Sequence, residues 1–293
     1  MNNENNGIYA GIPEELATFE NAMVLLQSIP YDGTSTWGKG ADAGFAAFSN
    51  ASENMELYDI ETDTEAYKVG VHTLPPILEA SSPEAMYSAT YHETKKNLEL
   101  GKFLTIFGGE HSVSIGVIQA YYEKYPNLTV LQIDAHADLR PDYMGTKYNH
   151  ACALYDASKN TNLIQVGIRS MDVAEKQHIN IKNTYFAHQI MDNDYWMEEA
   201  IKKMTDHVYI TFDLDAFDSS LMPSTGTPEP GGMGWYQTLE FLRKVYSRKN
   251  VVGFDIVELL PNEANPGPDF VAAKLYYKML TYKYEKHLKD NNF

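Results

Sequence analysis

The sequence predicts a three-layer α/β/α protein built on a mostly parallel central sheet. Three observations carry this. Short apolar runs alternate with longer segments of helical period throughout the 293 residues, the order of strand–helix units. The runs are apolar at nearly every position rather than at every second one, as in strands covered on both faces. Several of them end in clusters of Asp, Glu and His at the carboxyl side, where ligands bind in such sheets.

From the amino end, "AMVLLQSIP" (22–30) reads as the first strand. "SPEAMYSATYHETKKNLELG" (82–101) reads as a helix, with Ser82 as cap, Pro83 just inside and Gly101 just past the end. Strand "FLTIFGG" (103–109) and helix "SVSIGVIQAYYEKYP" (112–126) follow, then strands "LTVLQID" (128–134) and "NLIQVGI" (162–168). Helix "YWMEEAIKKMTD" (195–206), strand "HVYITFDLD" (207–215), helix "GWYQTLEFLRKVYSRK" (234–249) and strand "NVVGFDIVEL" (250–259) continue the alternation. "DFVAAKLYYKMLTYKYEKHL" (269–288) closes it as a last helix. With no repeat, low-complexity block or Pro/Gly/Ser linker, residues 1–293 read as one domain.

Composition narrows the function. Asp and Glu number 40 against 23 Lys and Arg, a net charge of −17. So acidic a chain is a poor partner for nucleic acid and attracts cations, metals and cationic substrates among them. The one cysteine, Cys152, cannot form an intrachain disulfide and reads as a small buried residue rather than a nucleophile. No apolar stretch has the length of a membrane span, and "MNNENNGIYAGIPEEL" lacks the basic-then-apolar order of a signal peptide, so the expected location is cytoplasmic.

The strand ends carry the chemistry. "LTVLQIDAHADLR" ends in Asp134, His136 and Asp138, spaced two apart and hence on one face if the extended backbone continues. Carboxylates held that close repel one another and resist desolvation unless a cation joins them. "FLTIFGGEHSVSIG" adds Glu110 and His111 after a glycine pair, "HVYITFDLDAFD" adds Asp213 and Asp215, and "VVGFDIVELLP" adds Asp255 and Glu258. His111, Asp134, His136, Asp138, Asp213 and Asp215 make two imidazoles and four carboxylates. That is enough for two divalent ions, and the oxygen-rich set suits Mn²⁺ better than structural zinc.

In "SIPYDGTSTWGKGADAG", "GGEHSVSIG", "DAHADLR", "NHACALYD", "FDLDAFDSSLMPSTGTPEPGG" and "DIVELLP" the chain resembles the ureohydrolases: arginases, agmatinases and related guanidino-hydrolases. The resemblance implies an arginase-like fold around two Mn²⁺ ions. One would be held by His111, Asp134, Asp138 and Asp213, the other by Asp134, His136, Asp213 and Asp215. It implies hydroxide available near neutral pH for attack on a guanidinium carbon, with Asp138 receiving its proton. Glu258 would pair with the guanidinium, and His150 in "YNHACAL" would shuttle protons near the leaving amine. Relatives form trimers or hexamers, which implies a homo-oligomer. The aromatic stripe "LYYKMLTYKY" fits either an interface or core packing.

The segment "RPDYMGTKYNHACAL" lacks the Asn and Ser-Gly-Asn pattern with which arginases hold the amino-acid end of arginine, and it looks agmatinase-like. The expected substrate is therefore agmatine, cleaved to putrescine and urea. Other linear guanidines (guanidinobutyrate, arginine) and a catalytically silent metal-binding paralogue stand as alternatives. "STGTPEPGG" (224–232) would wall the pocket and Asp32 in "PYDGT" would shape a turn. Glu110 is open between supporting a ligand and facing solvent. Asp172 in "GIRSMD" has no firm assignment.

Overall fold

A computed structural model of the protein describes residues 7–191 and 193–291. Its strands are β1 Val24–Ile29, β2 Val71–Thr73, β3 Phe103–Gly108, β4 Thr129–Ile133, β5 Asn162–Ile168, β6 Thr184–Phe186, β7 His207–Asp213 and β8 Asn250–Val257. All pairings are parallel, and the strands lie in the order β2-β1-β3-β8-β7-β4-β5-β6. The helices are α1 Glu14–Ala17, α2 Gly44–Ser52, α3 Pro83–Leu98, α4 Val113–Lys124, α5 Tyr155–Asn160, α6 Ala187–Ile190, α7 Tyr195–Lys203, α8 Trp235–Arg248 and α9 Gly267–Asp290.

The predicted three-layer architecture is present. Within β1, Val24 and Leu26 enter one core with residues of α2, α7, α8 and α9, whereas Leu25 and Ile29 enter a second core with α3, α4 and α5. Phe103 and Phe107 of β3 join the first core and Leu104 and Ile106 the second. Each such side chain, fully withdrawn from water, contributes about 1.5–3 kcal/mol. Two-sided burial is why the strands read as continuous apolar runs. The tyrosines of the last helix are used the same way: Tyr276, Tyr277, Tyr282 and Tyr284 are buried in the first core, so this stripe packs the core. No helix among the described residues is long and apolar enough to cross a membrane.

The six predicted strands and five predicted long helices all form, with ends shifted by a few residues. Ser82 caps α3 as expected, its hydroxyl accepting from Ala85 N at 3.1 Å. The sequence reading missed the edge strands β2 and β6, three residues each, and the helix α2. It also ran five of the six strands one or two residues too far. β4 stops at Ile133 and β7 at Asp213, so Asp134 to Asp138 lie in the loop after β4 and Asp215 in a single 3-10 turn, Leu214–Ala216.

Strand order sets the site. β3, β8, β7 and β4 are far apart in sequence but adjacent in the middle of the sheet, so the residues that follow each of them meet above it. Gly109 makes the first of these junctions possible. Its carbonyl accepts from Glu258 N at 2.8 Å, and a Cβ there would stand 2.0 Å from the carbonyl oxygen of Tyr31. Gly109→Ala is therefore expected to cost at least about 2 kcal/mol in urea unfolding, because the obstacle is backbone. An unchanged midpoint would show that this junction can yield.

Candidate metal centre

The loop from Asp134 to Asp138 keeps the alternation of the strand it leaves. Ala135 and Ala137 are fully buried, while Asp134, His136 and Asp138 turn the other way. Neighbouring loops hold it extended: Asp134 N donates to Val166 O at 3.0 Å, Arg169 N to Ala135 O at 2.8 Å and Ala137 N to Ser170 O at 3.3 Å. Asp138 then adopts a left-handed backbone, φ 53°, and Glu258 does the same at φ 68°. Such conformations cost a non-glycine residue energy and concentrate at functional sites.

Nδ1 of His111 faces three carboxylates, with Asp134 Oδ2 and Asp138 Oδ2 each at 3.1 Å and Asp213 Oδ2 at 3.3 Å. It is buried and makes no well-directed hydrogen bond to any of them. On the other side, His136 Nδ1 lies 2.9 Å from Asp215 Oδ2 and 3.8 Å from Asp134 Oδ1. Ligand atoms of His111, Asp134 and Asp213 converge within 4.8 Å, as do those of Asp134, His136 and Asp215. Two adjoining groups thus share Asp134, each with the nitrogen and oxygen donors that a divalent cation takes. An imidazole nitrogen aimed at three carboxylates without a proper hydrogen bond fits a cation between them.

The electrostatics agree. Burial and the neighbouring Asp134 push Asp138 up to about 7. Burial, Asp215 and Asp134 raise Asp213 well above the carboxylate range. Burial opposes a proton on His111, but Asp134, Asp138 and Asp213 outweigh it and raise that imidazole well above its ordinary value. Burial would raise Asp215 too, yet His136 holds it down at about 2. The cluster therefore retains protons that a metal would displace.

Supporting groups surround it. His136 N donates to Asp134 Oδ1 at 2.6 Å, Gln132 Nε2 to Asp134 Oδ2 at 2.7 Å, Ala135 N to Asp215 Oδ1 at 3.0 Å and Asp215 N to Asp213 Oδ1 at 2.9 Å. The far nitrogen of His111 meets Thr211 Oγ1 at 2.9 Å, and that hydroxyl donates to Asp255 Oδ1 at 2.7 Å. This is the outer support that orients ligating histidines. Arg169 stands behind the loops, donating to the carbonyls of Asp215 at 2.6 Å, Glu229 at 2.8 Å, Phe217 at 3.1 Å and Pro230 at 3.1 Å.

All eight residues singled out in the sequence come together. His111, His136, Asp138, His150, Asp213, Asp215 and Glu258 line one cleft of about 310 Å³, and Asp134 lies fully buried, its carboxylate 3.1 Å from His111 Nδ1. Glu258 Oε1 accepts from His111 N at 2.9 Å; burial and Glu110 raise its pKa well above normal. Gly226 of the 224–232 loop leaves it room, since a Cβ there would lie 3.2 Å from Glu258 Oε2. Glu110 faces the interior and is fully buried. Asp32 shapes a turn by accepting from Gly40 N and Ala41 N. Asp172 caps the following turn and lies 3.6 Å from Arg140 at the cleft. Cys152 is a free, buried thiol that burial pushes up to about 12.

The Arginase family model matches residues 22–281. The chain belongs to the arginase family. It is a metal-dependent amidinohydrolase of the agmatinase-like kind, as the six motifs implied. The N(1)-aminopropylagmatine ureohydrolase of Synechocystis sp. is 34% identical, with 94% of each chain covered. The enzyme of the same name from Thermus thermophilus is 36% identical, with 92% of this chain and 93% of that one covered. The crystal structure of agmatine ureohydrolase of Thermoplasma volcanium superposes with a TM-score of 0.85 at 27% identity, covering 96% of this chain and 95% of that one. In this arginase-family member Thr34, Gln132, Arg169 and Thr211 were not singled out beforehand. A buried Gln inside an apolar strand was the one local signal among them.

Divalent metal binding to the chelator-stripped protein is expected to release about one proton or more per protein at pH 6, and to tighten as pH rises through about 7. Calorimetric titrations in two buffers of different ionisation enthalpy measure this. Binding without proton release would remove these groups as ligands.

Proposed function

We propose that the protein hydrolyses agmatine to putrescine and urea at a centre holding two Mn²⁺ ions. One observation carries the choice of substrate. Asp138, Asp172, Glu175, Asp213, Asp215 and Glu258 line the cleft, whereas Arg140 is the one Lys or Arg lining it among the described residues. Arg140 is already engaged, 3.6 Å from Asp172 and 4.0 Å from Glu175, with its guanidinium 4.3 Å from the centre of the Tyr143 ring. Such a cleft favours a guanidine with a cationic tail and offers no free cation to a substrate carboxylate, as in arginine or 4-guanidinobutyrate.

In this reading His111, Asp134, Asp138 and Asp213 hold one ion, and Asp134, His136, Asp213 and Asp215 the other. Bound there, the metals supply Lewis acidity that makes hydroxide available near neutral pH. Asp138 takes up the proton released as the nucleophile adds. Glu258 receives the guanidinium. A carboxylate that burial holds above its usual range gains most from a planar cation, and its two oxygens match a pair of N–H donors. His150 moves a proton to the leaving nitrogen; burial and the imidazoles of His136 and His111 push it down to about 4, so a proton that it takes up is readily passed on. The same reading takes the chain as one catalytic domain, cytoplasmic, working as a homo-oligomeric trimer or hexamer.

The names of the relatives at 34–36% identity favour a second substrate, N(1)-aminopropylagmatine. It carries the same guanidinobutyl end with a longer cationic tail, and its cleavage would give urea and the aminopropyl-extended diamine.

Urea release from Mn²⁺-loaded protein decides among these, with His136→Ala as blank. Agmatine is expected to exceed arginine and 4-guanidinobutyrate at least about tenfold in kcat/KM, or about 1.4 kcal/mol. A similar excess of aminopropylagmatine over agmatine would install the second reading. No urea from any guanidine, with two metals bound, would bring forward the silent paralogue. Glu258→Gln is expected to lower kcat/KM for agmatine about a hundredfold with metal content unchanged; full activity would remove Glu258 from substrate binding.

A further inference from the structure

The fully buried Glu110 is assigned no ion and no substrate above, yet it is wired to a residue that moves a proton there. Its Oε1 accepts from Thr34 N at 3.2 Å and stands 2.9 Å from Thr34 Oγ1. Ser112 fixes the carboxylate from below, with its N–H on Oε2 and its hydroxyl on Oε1, both at 2.8 Å. Thr34 Oγ1 in turn lies 3.0 Å from His150 N and 3.2 Å from His150 Nδ1.

The protons in this chain can be assigned. Donors crowd both oxygens of Glu110, the Thr34 N–H and the Ser112 hydroxyl on Oε1 and the Ser112 N–H on Oε2, so the carboxylate presents lone pairs to Thr34. The short contact between it and Thr34 Oγ1 then requires the threonine hydroxyl to donate. A hydroxyl has one proton and two lone pairs. With the proton committed to Glu110, Thr34 can only accept from His150. One lone pair takes the backbone N–H and the other requires a hydrogen on Nδ1. Neutral imidazole carries a single N–H, so Nε2, the ring nitrogen that Thr34 does not engage, is left as the acceptor.

We propose that Thr34 and Glu110 are positioning residues that hold His150 in its Nδ1–H tautomer, so that the proton it moves during guanidine cleavage arrives and departs at Nε2. The consequence for turnover rests on the amidinohydrolase reading above; the tautomer does not. The arrangement follows the logic of a hydrolytic triad, in which a carboxylate fixes the tautomer of the working histidine. Here a threonine hydroxyl is interposed. It joins the loop after β1 to the turn after β3 and to the loop that carries His150.

Two-bond nitrogen-15 correlation spectra of the histidine side chains, recorded on the whole protein, test this directly. His150 is assigned by the signals lost in His150→Asn. The expected pattern is Nδ1 protonated and Nε2 bare, shifting in Thr34→Val to a mixture or to the Nε2–H form and returning in Thr34→Ser. In parallel, Thr34→Val is expected to lower kcat about tenfold or more with KM within about twofold and metal content unchanged, and Thr34→Ser to recover most of it. A wild-type His150 in the Nε2–H form overturns the proposal, even if Thr34→Val cannot be folded. So does a Thr34→Val protein with unaltered tautomer and kcat. If no guanidine is cleaved, the catalytic reading fails, and the spectrum still decides the tautomer.

Discussion

Mutual repulsion among carboxylates in a water-poor pocket is the constraint around which this molecule is arranged. Asp134, Asp138, Asp213, Asp215 and Glu258 are each less than a tenth exposed and lie at the ends of three adjacent strands. Desolvation alone would neutralise such groups. What keeps them useful is the positive end of many dipoles. The backbone N–H groups of Ala135, His136 and Asp215 and the amide of Gln132 each donate to an aspartate oxygen. The cations that complete the neutralisation come from outside the chain, as metals and as the guanidinium of the substrate. One physical need therefore accounts for both halves of the chemistry.

The parallel sheet makes the concentration possible. The chain lays β1 to β3 on one side and β4 to β6 on the other, then inserts β7 and β8 between them. Every central strand thus delivers its following loop to the same place. The left-handed backbones of Asp138 and Glu258 are local concessions to that convergence.

How much of this could be read beforehand follows from the range of each interaction. The six ligand candidates were legible because each sits in a short motif at a strand end, where period and polarity change together. The predicted strand 128–134 ran one residue into the ligand segment because Asp-Ala-His-Ala-Asp keeps an extended period after ladder pairing has stopped. β2 and β6 are too short to impose a pattern, and the polar residues within "GFAAFSNAS" blur α2. Thr34 and Arg169 were invisible for a different reason. Their partners lie 76 and about 60 positions away, at Glu110 and at Glu229 and Pro230, and no local rule links such residues. Glu110 illustrates the same limit, since its motif marked it but only the fold decided that it faces inward.

Arg169 also carries an implication for how such a scaffold diversifies. Its guanidinium grips carbonyl oxygens, those of Gly167, Asp215, Phe217, Glu229 and Pro230 among them, and forms no ion pair with an acidic side chain among the described residues. Carbonyls are common to all amino acids, so the grip is blind to which residues present them. The wall over the cleft can accordingly be rewritten, position by position, while its anchorage stays constant. A loop fastened in this way can present different side chains to the cleft without losing the bonds that hold it.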